Sequence, residues 1–288
     1  MPNTAIPGVL ETDAQAVLLA DGMYFCEGPV WDKWHDRLLF SDTGANEHRA
    51  WSEADGLVSV RKPSFGCNGN VFDSQGNLYT CEHETRAISK TDINGHRTIL
   101  VDRFEDKQLN SPNDLEVKSD GTIWFTDPPY GLGDRPKEQD KNYVFCFDPK
   151  TNYLSAIADD FAMPNGIAFS PDETKLYVGD SAEDNRQIRV FTVNPDNTLS
   201  GGDVLCQIDN KEWGADGVDV DALGNIYAGC GDGVHIFSAH GKLLSKILMP
   251  GAVTNFAFGG SEGKTLFMTG HNTLHRIELL VAGAVKRW

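Results

Sequence analysis

The chain has 288 residues, 40% of them hydrophobic, and no composition shift marks a second domain, so one domain over residues 1–288 with a single large core is expected. Its formal charge is −17, from 42 acidic and 25 basic residues. That balance argues against nucleic acid and anionic membrane as partners and has the right sign for a site that attracts a cation.

The first 22 residues carry Glu11, Asp13 and Asp21 but no basic residue, and they lack a signal-like apolar core. A cytoplasmic protein without a membrane span is therefore expected. Six cysteines, at 26, 67, 81, 146, 206 and 230, form no CxxC pair and read as reduced, mostly buried residues. Cys67 and Cys81 fall near the mouth of the channel inferred below, where a thiol can be reactive.

From residue 27 a degenerate unit occurs six times. The copies begin EGPVWD at Glu27, NGNVFD at Asn68, NDLEVK at Asn113, NGIAFS at Asn165, DGVDVD at Asp216 and TNFAFG at Thr254. A second apolar segment follows in each: LLFSD from Leu38, LYTCE from Leu78, IWFTD from Ile123, LYVGD from Leu176, IYAGC from Ile226 and LFMTG from Leu266. These runs are too short for packed helices and normal for strands. Turn sequences separate them, such as SQGN from Ser74, SDGT from Ser119 and PDET from Pro171. Most copies offer a third and a more variable fourth strand, and successive starting residues lie 38 to 52 positions apart.

This period predicts an all-β, six-bladed propeller of four-stranded antiparallel blades. The N-terminal segment around Gln15 to Leu19 is expected to supply the last blade's fourth strand, with the C-terminal tail as a competing source. Trp31, Phe72, Val117, Phe169, Val220 and Phe258 share one apolar column and should pack blade against blade.

In a propeller the starting residues Glu27, Asn68, Asn113, Asn165, Asp216 and Thr254 converge on one channel mouth. An oxygen-rich ring without thiolate or histidine suits a hard divalent ion, calcium first, with Zn2+, Mn2+ or Mg2+ able to replace it. Two acids in one narrow mouth repel unless solvated, protonated or cation-bound. Asp127 and Asp180 end second strands, where backbone hydrogen bonding is their expected role. His83 is placed to orient substrate or transfer a proton, or else to pack. The insertion 128–142 offers Tyr130 as an aromatic rim.

FCEGPVW from Phe25, SPNDL from Ser111, MPNGIAFSPD from Met163 and GADGVDVD from Gly214 together resemble the gluconolactonase, or SMP-30/regucalcin-like, propeller family. CEH from Cys81 and WFTDPPYG from Trp124 look closer to its bacterial sugar lactonases. The resemblance implies a divalent ion held by Glu27, Asn165 and Asp216, with Asn113 on the substrate side and Asp114 beside it. It implies hydrolysis of a sugar lactone, such as glucono-1,5-lactone, with Asp216 or the ion itself activating water. No GxSxG elbow or Ser/His/Asp assembly offers a nucleophile instead. A phosphoester-hydrolysing propeller and a noncatalytic calcium-binding regulator are the alternatives.

One departure from the family is Ser111, where some members carry Arg. It argues against phosphorylated or strongly anionic substrates unless Arg86 or Arg135 compensates. The expected partner is thus a small lactone, in a monomer or weak homo-oligomer.

Overall fold

The computed structural model describes residues 5–210 and 213–284. Six four-stranded antiparallel sheets hold their strands in chain order from the inside outward, except that the last takes its outermost strand from the N-terminal segment. The inner strands are Cys26–Asp32, Cys67–Phe72, Leu115–Val117, Pro164–Phe169, Gly214–Val220 and Val253–Gly259. Each touches the next and the sixth touches the first, so the blades form a closed ring. A short hairpin, Arg103–Phe104 with Lys107–Gln108, lies between blades two and three. Among the described residues no helix is long and apolar enough to cross a membrane.

The ring closes through Val17–Asp21, which pairs antiparallel with Thr273–Glu278. That strand begins two residues later than the segment expected from sequence. The competing tail takes another place: Gly283 bridges Asp221 of blade five. The closing strand covers an edge that would otherwise expose unpaired backbone groups.

Between blades the expected apolar column packs as aromatic pairs. Trp31 stacks on Phe267 of blade six at 5.3 Å, Phe169 meets Trp124 of blade three edge-on at 5.2 Å, and Phe258 meets Tyr227 of blade five at 5.2 Å. Val117 and Val220 are buried, whereas Trp31, Phe72 and Phe258 also line a cavity at the far end of the axis. All six cysteines are free and buried. Burial raises the Cys67 thiol to about 11 and pushes Cys81 well above its ordinary range, so both are held in the unreactive protonated form.

The innermost strands approach so closely that glycine is required after the ring residue. A Cβ on Gly28 would lie 2.0 Å from the Asn68 carbonyl oxygen, and one on Gly166 would lie 2.2 Å from that of Asp216. Asp114 and Asn255 occupy the corresponding positions in blades three and six. These blades are opposite one another, and Asn255 Nδ2 donates to Asp114 Oδ2 at 3.3 Å. This pair crosses the axis and separates the cavities at its two ends.

Candidate active site

A regular strand would alternate its side chains between blade faces and leave none aimed along the axis. The ring residues escape that alternation through irregularities in register. The inner pairing skips between Glu27 and Val30, Cys67 and Asn70, Pro164 and Ile167, Gly214 and Val218, and Val253 and Asn255. A bulge re-aims its side chain, and here it does so at the polar residue of five units. Ala215, at φ 55°, holds the left-handed backbone just before Asp216.

Acids at the ends of second strands fix the chain where it enters each unit. Asp42 accepts from the Tyr24 and Phe25 amides at 3.1 Å each, Asp127 from Asn110 at 2.7 Å, and Asp180 from Ala162 and Met163 at 3.1 and 2.8 Å. Hydroxyls then tie blades together. Ser41 Oγ donates to the Asn68 carbonyl at 2.6 Å and Thr126 Oγ1 to that of Asn165 at 2.7 Å. Asp127 and Asp180 are accordingly structural.

The ring residues Glu27, Asn68, Asn113, Asn165 and Asp216 line one cavity of about 560 Å³. Thr254 does not: it is fully buried, and its hydroxyl donates to the Cys26 carbonyl at 2.7 Å. The sixth position therefore closes the ring without facing the cavity, because its short side chain is consumed by the junction between blades six and one.

Glu27 and Asp216 are 6% and 3% exposed. Burial, then the neighbouring Asp216 carboxylate, raises Glu27 well above the ordinary carboxylate range. Burial raises Asp216 to about 7, against the lowering effect of a hydrogen bond from Trp213. Asp114 pushes both upward from one layer below. Among the described residues, neither acid has an ion-pairing cation.

Asp114, expected on the substrate side, is absent from this wall. Its Oδ1 accepts from the Leu115 amide at 2.9 Å, its Oδ2 faces Asn255, and it lines the opposite cavity. His83 and Tyr130 do line the substrate-side cavity. The His83 ring lies against Gly131, where a Cβ would come within 2.2 Å of its Cγ. Its Nε2 is buried without a partner, and burial, with Arg135 nearby, lowers its pKa to about 4. The ring is thus neutral at physiological pH. The Tyr130 hydroxyl lies 2.5 Å from Ser181 Oγ, and the Asn165 amide donates to that same Oγ at 3.2 Å.

Neither Arg86 nor Arg135 reaches the cavity. Arg86 donates to the Asn110 carbonyl at 3.1 Å, and Arg135 latches the 128–142 loop to blade two through the His83 and Glu84 carbonyls at 2.7 and 2.8 Å. Ser111 anchors the same loop, donating to the Pro128 carbonyl at 2.7 Å and accepting from Gly131 at 2.9 Å. The arginine that lines the cavity is Arg186, with Trp213, Phe25 and Ser181. Sequence reasoning passed over these four. Trp213 stands only three residues before Asp216, the one local signal available for it.

Two buried carboxylates facing neutral amides fit a divalent cation. The Asn165 amide nitrogen donates to Ser181 and to the Asp216 carboxylate, and its Oδ1 is the atom that would join the Glu27 and Asp216 oxygens around such an ion. The set has only two carboxylates, and no group of three or more His, Cys, Asp or Glu able to hold a metal occurs among the described residues. Water or substrate oxygens would complete the shell, as hard cations accept.

Fold and site together define a six-bladed propeller with a central cavity lined by carboxylate and amide side chains. The chain belongs to the SMP-30/Gluconolactonase/LRE-like family, which matches residues 25–272. A gluconolactonase of Zymomonas mobilis is 33% identical, over 96% of this chain and 85% of its own. The solved structure of a Xanthomonas campestris gluconolactonase is 34% identical with a TM-score of 0.90, covering 97% of this chain and 95% of that one. A calcium-binding regucalcin of Agrobacterium tumefaciens shares the fold at 19% identity and a TM-score of 0.77, covering 94% of this chain and 97% of its own.

Proposed function

We propose that this cavity hydrolyses sugar lactones, with glucono-1,5-lactone or a related aldonolactone as substrate and a divalent cation, calcium first, held by Glu27, Asn165 and Asp216. The observation that carries this reading is the pair of buried acids, Glu27 and Asp216, on a cavity that they share with the amides of Asn68, Asn113 and Asn165. Membership of the family and the names of its gluconolactonases support it.

A bound cation supplies Lewis-acid polarisation of the ester carbonyl. The protein's own groups do the rest. Asn113 and Asn68, on adjacent blades, present amides to the lactone ring oxygens and hydroxyls. Asp216 holds the attacking water and takes its proton, a role its raised pKa favours and cation ligation opposes. The proton then passes to the alkoxide released when the ring C–O bond breaks. Tyr130 and Phe25 supply apolar surface that excludes water from the reacting carbonyl, and the latched 128–142 loop holds Tyr130 in place.

The test is lactone turnover by chelator-treated protein, resupplied separately with Ca2+, Zn2+, Mn2+ and Mg2+, against five- and six-membered lactones and a phosphotriester. Activity lost on metal removal and regained on the sugar lactone supports the reading. Turnover indifferent to complete metal removal refutes it.

A further inference from the structure

The two acids of the site are held in different ways. Glu27 Oε2 accepts from the amide of Gly28, the next residue, at 2.9 Å. It also accepts from the Asn255 side chain of blade six, so both of its partners belong to the innermost strands of the ring. Asp216 accepts from the ring residue Asn165 and also from a side chain outside the six inner strands: Trp213 Nε1 donates to Asp216 Oδ2 at 2.5 Å. Trp213 precedes the strand Gly214–Val220 and forms part of the cavity wall.

The indole is itself anchored from the outer part of blade five. The Trp213 amide donates to Asn210 Oδ1 at 3.1 Å, and its carbonyl accepts from the Gly231 amide at 3.1 Å. Asn210 Nδ2 donates to Asp232 Oδ1 at 2.9 Å, and Asp232 in turn holds Lys246 Nζ at 2.9 Å and His235 Nε2 at 2.6 Å. Gly231 permits this arrangement, since a Cβ there would stand 2.9 Å from Asn210 Oδ1. The ring also meets His271 at 5.4 Å in a T-shaped contact. A chain of polar contacts therefore runs from the strands Gly233–Phe237 and Leu243–Leu248 to one carboxylate oxygen at the centre of the propeller.

We propose that Trp213 is a positioning residue for Asp216: its indole N–H occupies Oδ2 and turns Oδ1 toward the cation site. This rests on the cation reading above. The indole nitrogen is a donor only, so the oxygen it faces must offer a lone pair and is unavailable as a hydroxyl. Hydrogen-bonding partners behind a ligating group fix its orientation, and losing one typically costs about tenfold to a hundredfold in metal affinity. An indole this close to a ligating carboxylate should also register the arrival of a dication in its fluorescence.

The test uses full-length protein freed of metal and titrated with calcium chloride, followed by calorimetry and by tryptophan fluorescence. Trp213→Phe keeps the ring contacts and deletes the donor. It should weaken calcium binding by about tenfold or more, lose the calcium-induced fluorescence change, and lower kcat for glucono-1,5-lactone even at saturating calcium. Asn210→Ala keeps the indole and loosens its anchor, so it should weaken calcium binding less and retain the fluorescence change. Calcium affinity in Trp213→Phe within about twofold of wild type overturns the proposal, because that is well below the loss expected for a removed supporting partner. Should Trp213→Phe fail to fold by circular dichroism, Asn210→Ala decides, and unchanged affinity there overturns it. Wild-type protein that takes up no divalent ion sinks the cation reading, and this proposal with it.

Discussion

Two cavities share the propeller axis, and their carboxylates are satisfied in different ways. At the substrate-side end Glu27 accepts from the Gly28 amide and the Asn255 side chain, and Asp216 from the Trp213 and Asn165 side chains. At the other end, in a cavity of about 300 Å³, Asp114 is held by Leu115 and Asn255 beside Glu116 and Asp219. The Asp114–Asn255 pair is the partition between them. Acid content alone therefore does not mark the site. What distinguishes the substrate-side end is that two acids and three amides from five different blades, four of them re-aimed by bulges, meet in one space, and that among the described residues no cation pairs with either acid.

That contrast is broken most severely at Asp216. Asp216→Ala should reduce lactone turnover by roughly a thousandfold, within the range expected for a lost acid–base group, while circular dichroism remains that of the folded propeller. Retained turnover in a metal-saturated variant would remove Asp216 from the mechanism. Chelation of the wild-type protein should cost most of its activity and also lower its melting temperature. At a hundred times the dissociation constant, bound ion contributes about 2.7 kcal/mol to stability.

The raised acids give a pH dependence with a definite sign. Protons compete with the cation for Glu27 and Asp216, so apparent calcium affinity should fall by about tenfold per unit for each proton displaced, below about pH 7. Calorimetry at several pH values checks this. In metal-free protein, burial raises Asp114, Asp127 and Asp216 to about 7. A carboxyl with a raised folded pKa contributes stability below its unfolded pKa, near 4, and loses it as pH rises through the folded value. Thermal melts of metal-free protein should therefore show these groups favouring pH 5 over pH 8, and added calcium should reduce the difference.

The smallest effects lie at the partition and beyond it. Asp114→Asn keeps a polar contact to Asn255 and removes a charge that attracts the cation, so calcium affinity should drop a few-fold. Asp219→Asn, in the far cavity, should leave kcat and KM unchanged. A large loss of turnover in Asp219→Asn would mean that the two cavities are not functionally distinct.

The repeat made the blades legible because each second segment ends where its strand ends, at Asp42, Glu82, Asp127, Asp180, Cys230 and Gly270. It also located the five cavity-lining ring residues, since a polar residue followed in most copies by glycine is the signature of the bulge and the close blade approach. The register could not say which polar side chains turn inward. Thr254 shares the register but spends its hydroxyl on Cys26. Asp114 adjoins a ring residue yet points down the axis to meet Asn255. Arg186 and Trp213 lie outside the repeated strands, so no periodicity flagged them. Their places depend on how loops fold over the mouth, which residue spacing does not encode.

The central claim is that one divalent ion at Glu27, Asn165 and Asp216 makes this mouth the lactonase site. Calorimetric titration of metal-free protein with calcium, run beside lactone turnover at each calcium concentration, tests it most directly. The account predicts one ion bound per chain, turnover rising in proportion to occupancy, and loss of both in Glu27→Gln and Asp216→Asn. Full turnover before any ion is bound, or calcium binding unchanged in both variants, would contradict it.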